Sequence, residues 1–592
     1  MNNTKLKLLV LSLILGLFFA SLPLPVLAAE ELSLELWYMP VKRPYFPDAK
    51  TVAEYMQSDL DKIGVKTTLK TFDWSEYLER TEDGEHDMCL LGWSADLADP
   101  DNFMYVLLHG DTATVGSAGN VAFYSSPEVN TLLTEAQQTT DLAIRTKNYK
   151  DAQWLVHKDS PWVTVAHSQN LAAYLSTVSG FQTHPTGAGT NVYANVTKSG
   201  STTLTIGRVG DSDSLDPAET TDGQSFKVMR QIFDGLYNLP AGSTIPEPGL
   251  ATSFSTSADL LEWTFTLRQG VKFHDGTPFN ASAVVFSFQR AQDWADNTST
   301  YYINGWTPPE AGYIDWIFGG VNVEVTEVDT YTVKFTLDAK YAPFFNTMAI
   351  PPFAIVSPTY VKAHNGTTNI DRLGLNPVGT GPYKFVSWVQ DQTVTLEKYD
   401  DFWGTANGAD TLIFKHIEEE ATAIIEITAA TPTIDILDDF SGTNVPTIEA
   451  ASGVNMFTQP GMNIGYLAMN ALRHPFNNTE AVDDPDFGGQ TTHASLVRRA
   501  FHYAINRSAI IENAYGGYAV QAKNPFPPSI WGYNDTIEDY EFDPDSARDI
   551  LKSLGYAIKG GRPAGPDAIT ALITALGGFI VLTILLNNRR KK

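Results

Sequence analysis

Two apolar segments, one near each end of a 592-residue chain, constrain everything that lies between them. Lys5 and Lys7 precede an apolar run from Leu8 to Ala20, and Pro23 and Pro25 interrupt it before Val26-Leu27-Ala28. This pattern predicts a secretory signal over residues 1–28 with a small-residue cleavage site. An uncleaved anchor is the other reading, but the run is short for a span and the prolines favour processing. At the far end, Asp567 to Leu586 is largely apolar and would reach about 30 Å as a helix. Asn587-Asn588-Arg589-Arg590-Lys591-Lys592 follows it. The basic tail predicts a transmembrane helix over 567–586 with 587–592 in the cytoplasm, rather than a buried core helix. Residues 557–566, rich in Gly and Pro, read as a linker. The remaining chain is then expected outside the cell, fixed to the membrane. Triplets such as Asn195-Val196-Thr197, Asn280-Ala281-Ser282 and Asn365-Gly366-Thr367 fit that location.

Such a chain is too long for one core, and its 43% hydrophobic and 11% aromatic residues supply several. Its formal net charge of -28 argues against nucleic acid, which demands clustered Lys and Arg. Cys89 is the single cysteine, so neither an internal disulfide nor a Cys-based zinc site is available. No His/Cys cluster points to a metal, and no cofactor is expected. No P-loop and no His-Glu-x-x-His occurs. No nucleophile–base arrangement suggests an enzyme.

Periodicity gives the elements. Leu32 to Tyr38 alternates as a strand, apolar Val52, Tyr55, Met56, Leu60 and Ile63 mark a helix, and Val65 to Thr71 is a second strand. Strand, helix, strand predicts a parallel α/β unit. Met88 to Leu91 reads as a buried strand, Leu132 to Val156 as mostly amphipathic helix, and Trp162 to Ala166 as a core strand. Thr186 to Thr202, rich in Gly, Ser, Thr and Asn, reads as a connector. Beyond it, Glu262 to Leu267 alternates as a strand, Val321–Val325 and Thr332–Phe335 suggest a hairpin, and Asp545 to Leu554 is the last globular helix.

Several long motifs carry a resemblance. The run from Phe265 to Phe279, which includes Arg268-Gln269-Gly270-Val271-Lys272-Phe273-His274-Asp275-Gly276-Thr277-Pro278, closely resembles the signature of the large peptide- and nickel-binding receptors of ABC importers. Asn376 to Tyr383 and Val497 to Asn506 are similar to two further landmarks of that family. Within it, Trp37 to Tyr45, Asp83 to Asp87, Gly92 to Asp96, Asp99 to Phe103 and Trp531 to Asp535 look most like the dipeptide-binding proteins. The order differs: the part resembling the family's carboxyl-terminal segment comes first. The chain therefore looks circularly permuted, with Thr186 to Thr202 joining the family's old ends.

The resemblance implies an α/β fold of the periplasmic-binding-protein type, with two lobes and an extra domain. It places 31–180 and 462–556 in the lobe carrying the main ligand site, 181–237 and 371–461 in the second lobe, and 238–370 in the extra domain. It also implies an extracellular receptor that captures a short, dipeptide-like ligand between closing lobes. The receptor would be a monomer that delivers the ligand to a permease and an ATPase on separate chains. Nickel, haem or an oligosaccharide are alternative solutes, and an extracellular peptidase is a remoter one. A zwitterionic peptide needs an anion and a cation held apart in a dry cleft, each paired to offset its desolvation. By the resemblance, Arg43 meets the ligand carboxylate and Asp96 its amino group. Trp93 and Trp74 lie near the ligand, Tyr45 is a weaker candidate, and Thr221, Gly223 and Gln224 offer contacts from the other lobe. His274-Asp275-Gly276 reads as a turn rather than a catalytic triplet.

Overall fold

The computed structural model describes residues 30–220, 222–295, 321–364 and 372–558. A 12-stranded mixed sheet organises it. In chain order its strands are β1 Ser33–Trp37, β2 Lys66–Lys70, β3 Met88–Ser94, β4 Trp162–Leu175, β5 Thr203–Arg208, β6 Tyr383–Val389, β7 Thr393–Lys398, β8 Thr411–His416, β9 Ile436–Leu437, β10 Val454–Pro460, β11 Asn463–Met469 and β12 Ala519–Gln521. Their spatial order is β6-β7-β8-β5-β9-β4-β11-β3-β1-β2, with β10 and β12 also pairing with β4.

The parallel unit forms as the periodicity predicts. β1 pairs in parallel with β2 and with β3. The intervening helix Ala49–Lys62 starts where the Asp48 carboxylate accepts from the Thr51 amide, and it buries Val52, Ala53, Met56 and Leu60. The stretch expected to be mostly helix holds parts of two, the second being the 18-residue Leu142–Asp159. Asp141 accepts from the amides of Ala143 and Ile144, so this helix begins anew after a separate one over Pro127–Gln137. The capping side chain sets the boundary between the two helices.

β4 is the pivot. Its first half pairs with β11 and its last with β10, and β10 runs into β11 through Gly461 and Met462. Two extended crossings thus join two bodies. On one side a core gathers β1, β3, β11 and the helices around them, from Leu32 to Ala166 and from Met462 to Ile558. On the other, two smaller cores surround β5, β7, β8 and β9. The crossings are tied together by Asn463, whose side-chain oxygen accepts from the amide and hydroxyl of Ser168.

A separate core covers a four-stranded sheet ordered Ala251–Thr256, Glu262–Leu267, Thr332–Leu337 and Val323–Asp329. Glu262–Leu267 alternates, turning Trp263, Phe265 and Leu267 inward. His274, Asp275 and Gly276 form a turn: the Asp275 carboxylate accepts from the amide of Thr277 and the hydroxyl of Ser357, and Gly276 has a φ of 81°.

The expected transmembrane helix requires correction. No helix among the described residues is long and apolar enough to cross a membrane. The longest of them, Leu142–Asp159, carries Arg145, Lys147, Lys150 and Asp151 and buries only one face. The stretch 567–586, its linker from residue 559, the tail 587–592 and the signal 1–28 lie outside the described residues. The membrane-fixed location inferred from that stretch is withdrawn with it.

Candidate functional site

A cleft of about 610 Å³ separates the two bodies. Its first wall is built by the turn after β1 and by the end of β3, which bring Arg43 and Asp96 to the same cavity. Arg43 is held by a two-residue bridge to Phe46 and lays its guanidinium over the Trp74 ring, 4.9 Å from the centroid. Trp74 opens the helix Trp74–Glu82, which places it under that charge. Asp96 is half-buried, and its local order comes from Asn102. The Asn102 oxygen accepts from the Asp96 amide at 2.9 Å and from Trp93 Nε1 at 3.2 Å, and its amide donates to the Asp96 carboxylate at 3.4 Å. Asn102 itself is buried in the first turn of Asp101–Leu108.

Sequence reasoning placed the other candidates less evenly. Gly223 and Gln224 line the cleft from the opposite body, at the start of helix Gly223–Ile232. Thr221 lies outside the described residues. Trp93 and Trp74 adjoin Asp96 and Arg43 without lining the cavity themselves. Tyr45 is core: it is 8% exposed, and its ring rests on Gly92, where a β-carbon would fall 2.2 Å from Tyr45 Cδ2. Its carbonyl accepts from the buried Tyr515 hydroxyl at 2.7 Å.

Other cleft residues escaped the sequence. The connector is one source, since Thr186, Gly187, Gly189 and Thr190 line the cavity and Gly189 packs on the backbone of Gly223. It forms part of the wall, not a peripheral tether. The far wall also carries Lys227, Glu420, Asp438 and Asp439. Lys227 Nζ is 2.6 Å from the Asp438 carboxylate, which also accepts from the Tyr193 hydroxyl. Lys42, beside Arg43, reaches across to Glu420 at 3.7 Å. Among the described residues no group of His, Cys, Asp or Glu side chains is placed to hold a metal ion.

The bodies also touch beside the cleft. A β-carbon on Gly442 would fall 2.2 Å from the carbonyl oxygen of Tyr515, and one on Gly516 2.6 Å from the Gly442 carbonyl carbon. Only glycine permits that approach.

The profile of bacterial extracellular solute-binding proteins, family 5, matches residues 33–114 and 246–577. The dipeptide-binding protein of Escherichia coli K12 is 30% identical over 389 residues, 62% of this chain and 67% of that one. Heme-binding protein A of Haemophilus influenzae is 32% identical over 57% of this chain and 59% of its own. Among solved structures, HbpA2 from Haemophilus parasuis superposes with a TM-score of 0.51 at 30% identity, covering 60% of this chain and 67% of that one. The chain spans 59–67% of the length of these curated relatives. With a mixed α/β fold, a cleft between two bodies and a family match over more than half its length, the chain belongs to the bacterial extracellular solute-binding proteins of family 5.

Proposed function

We propose that this protein binds short peptides by their two charged ends in the cleft, without turnover, as a monomeric receptor serving a separate permease and ATPase. One observation carries the reading. Arg43 and Asp96 line one cavity, and no carboxylate among the described residues pairs with Arg43. A guanidinium stacked on Trp74 is positioned for a carboxylate that comes from outside. Asp96, oriented by Asn102, is a counter-ion for an ammonium group. The two bodies act as closing lobes about the paired crossings at Ser168 and Asn463. The reading includes a permuted segment order, with residues 31–180 and 462–556 as the lobe that holds both charges.

Similarity to a dipeptide-binding protein supports this, and similarity to a heme-binding protein keeps a second solute class in view. Isothermal titration separates them. Dialanine should bind, N-acetyl-dialanine should bind at least tenfold more weakly, and haem or nickel should not compete. Equal affinity for the acetylated and free peptides, or haem binding tighter than any peptide, would reject the reading.

A further inference from the structure

Six carboxylates line the cleft: Asp96, Asp211, Asp222, Glu420, Asp438 and Asp439. Five have partners. Asp96 receives the Asn102 amide, and Asp211 pairs with Arg208 and accepts from Trp388. Asp222 caps a helix by accepting from the Ser225 amide at 2.7 Å. Glu420 meets Lys42 and accepts from the Ser441 amide, and Asp438 meets Lys227 and the Tyr193 hydroxyl. Asp439 alone has neither a hydrogen bond nor an ion pair with any described residue, and its side chain is exposed to the cavity.

The cations complete the balance. Lys42, Arg43 and Lys227 are the basic residues of the wall, and two of them already face Glu420 and Asp438. A zwitterionic peptide would satisfy Arg43 and Asp96 and leave Asp439 over. Asp438 and Glu420 repel its charge, and the Lys227 ammonium that attracts it is already paired with Asp438. An ionised carboxylate among like charges is stabilised further by a cation that a ligand brings.

We propose that Asp439 makes the cleft select peptides carrying a basic side chain, which it meets from the lobe opposite Asp96 and Arg43. The proposal rests on the peptide reading and adds a third charged point to it. A lysyl or arginyl side chain would reach across the cavity from a backbone held by its ends. Selectivity of this kind comes from the uncompensated charge as much as from the contact, because an acidic side chain in the same place meets three carboxylates.

The test uses dipeptides in which lysine replaces norleucine, its uncharged counterpart: Ala-Lys against Ala-norleucine and Lys-Ala against norleucine-Ala, with Ala-Glu as the opposite charge. Titration calorimetry on the whole protein should show at least one lysyl peptide binding at least tenfold tighter than its norleucine partner, and Ala-Glu weakest. Asp439→Asn should abolish the lysine advantage while leaving Ala-norleucine within about threefold of wild type. Equal affinity for lysyl and norleucyl peptides overturns this proposal and leaves the peptide reading standing, and so does an advantage that survives in Asp439→Asn. Absence of binding by every peptide, the neutral ones included, overturns both.

Discussion

Single side chains decide what the cleft can hold, and Asp96 is the first to test. Asp96→Ala removes the counter-ion proposed for the ligand ammonium, and affinity for dialanine should fall at least a hundredfold with little change in melting temperature; unchanged affinity would remove the residue from the site. Asn102→Ala acts through the same carboxylate. It takes one hydrogen-bond partner from both Asp96 and Trp93, so the discrimination between free and N-acetylated peptide should shrink, a readout that simple destabilisation does not move. A different carboxylate governs stability. Asp101 is pushed up to about 7, chiefly by burial and then by the neighbouring Asp99, from an ordinary 3.8. Between about pH 4 and 7 the folded chain therefore holds a proton that the unfolded chain releases, and stability falls as pH rises through that window. Asp101→Asn keeps an acceptor for the Tyr149 hydroxyl, and the Gln137 amide can turn to suit it. The variant's melting temperature should gain on wild type more at pH 8 than at pH 5; a difference independent of pH would show that Asp101 does not titrate this way. That Arg43 and Asp96 share a cavity was legible because each lies in a linear motif beside a strand end. Asp439 was not, since its significance appears only when every other charge on the wall has been matched.

At the scale of elements, what the sequence hides is pairing between distant segments. Alternation and helical spacing locate β1, β2 and the helix between them, because each is set by its own residues. They locate Trp162–Ala166 as well, but not its continuation to Leu175. That half of β4 is ordered by β10, nearly 300 positions away in the chain, and no local period marks it. β9, two residues long, is equally silent, yet it delivers Asp438 and Asp439 to the cleft. The connector Thr186 to Thr202 reads as polar and loose, and becomes cavity wall only when it meets helix Gly223–Ile232. The meeting of Gly442 with Tyr515 and Gly516 is another contact between distant elements, and it carries a prediction. A methyl group on Gly442 presses on backbone, which cannot rotate away as a side chain can. Gly442→Ala should hold the lobes apart, weaken dialanine binding several-fold, and enlarge the radius of gyration of the peptide-saturated protein in solution scattering. Wild-type affinity and dimensions in that variant would mean that closure does not bring these strands of backbone together.

For the whole molecule, the open question is whether segment order matters once the parts have met. Glu30 forms a parallel bridge with Tyr556, and the Ala557 amide donates to the Glu30 carbonyl at 2.7 Å. The two stretches are neighbours without being consecutive, so a short linker can join them, and each doubling of its length costs only about 0.6 kcal/mol. The connector offers two different places to open the chain. Ser199 and Gly200 are exposed, and Gly200 has nothing within 4 Å of its would-be β-carbon. Gly187, Gly189 and Thr190, by contrast, line the cleft. A reordered protein that starts at Ser201, runs to Ile558, continues through a Gly/Ser linker into Glu30 and ends at Gly200 restores the arrangement inferred for the family. It should fold and bind dialanine within about threefold of the original order. The same reordering opened between Gly187 and Ala188 should fold yet bind at least tenfold more weakly, because the break loosens the wall against Gly223. If the first reordered chain fails to fold, the two stretches near Glu30 and Tyr556 are not interchangeable with a covalent joint, and the permuted reading loses its physical basis. If both bind alike, the connector's place in the wall has no part in holding the ligand.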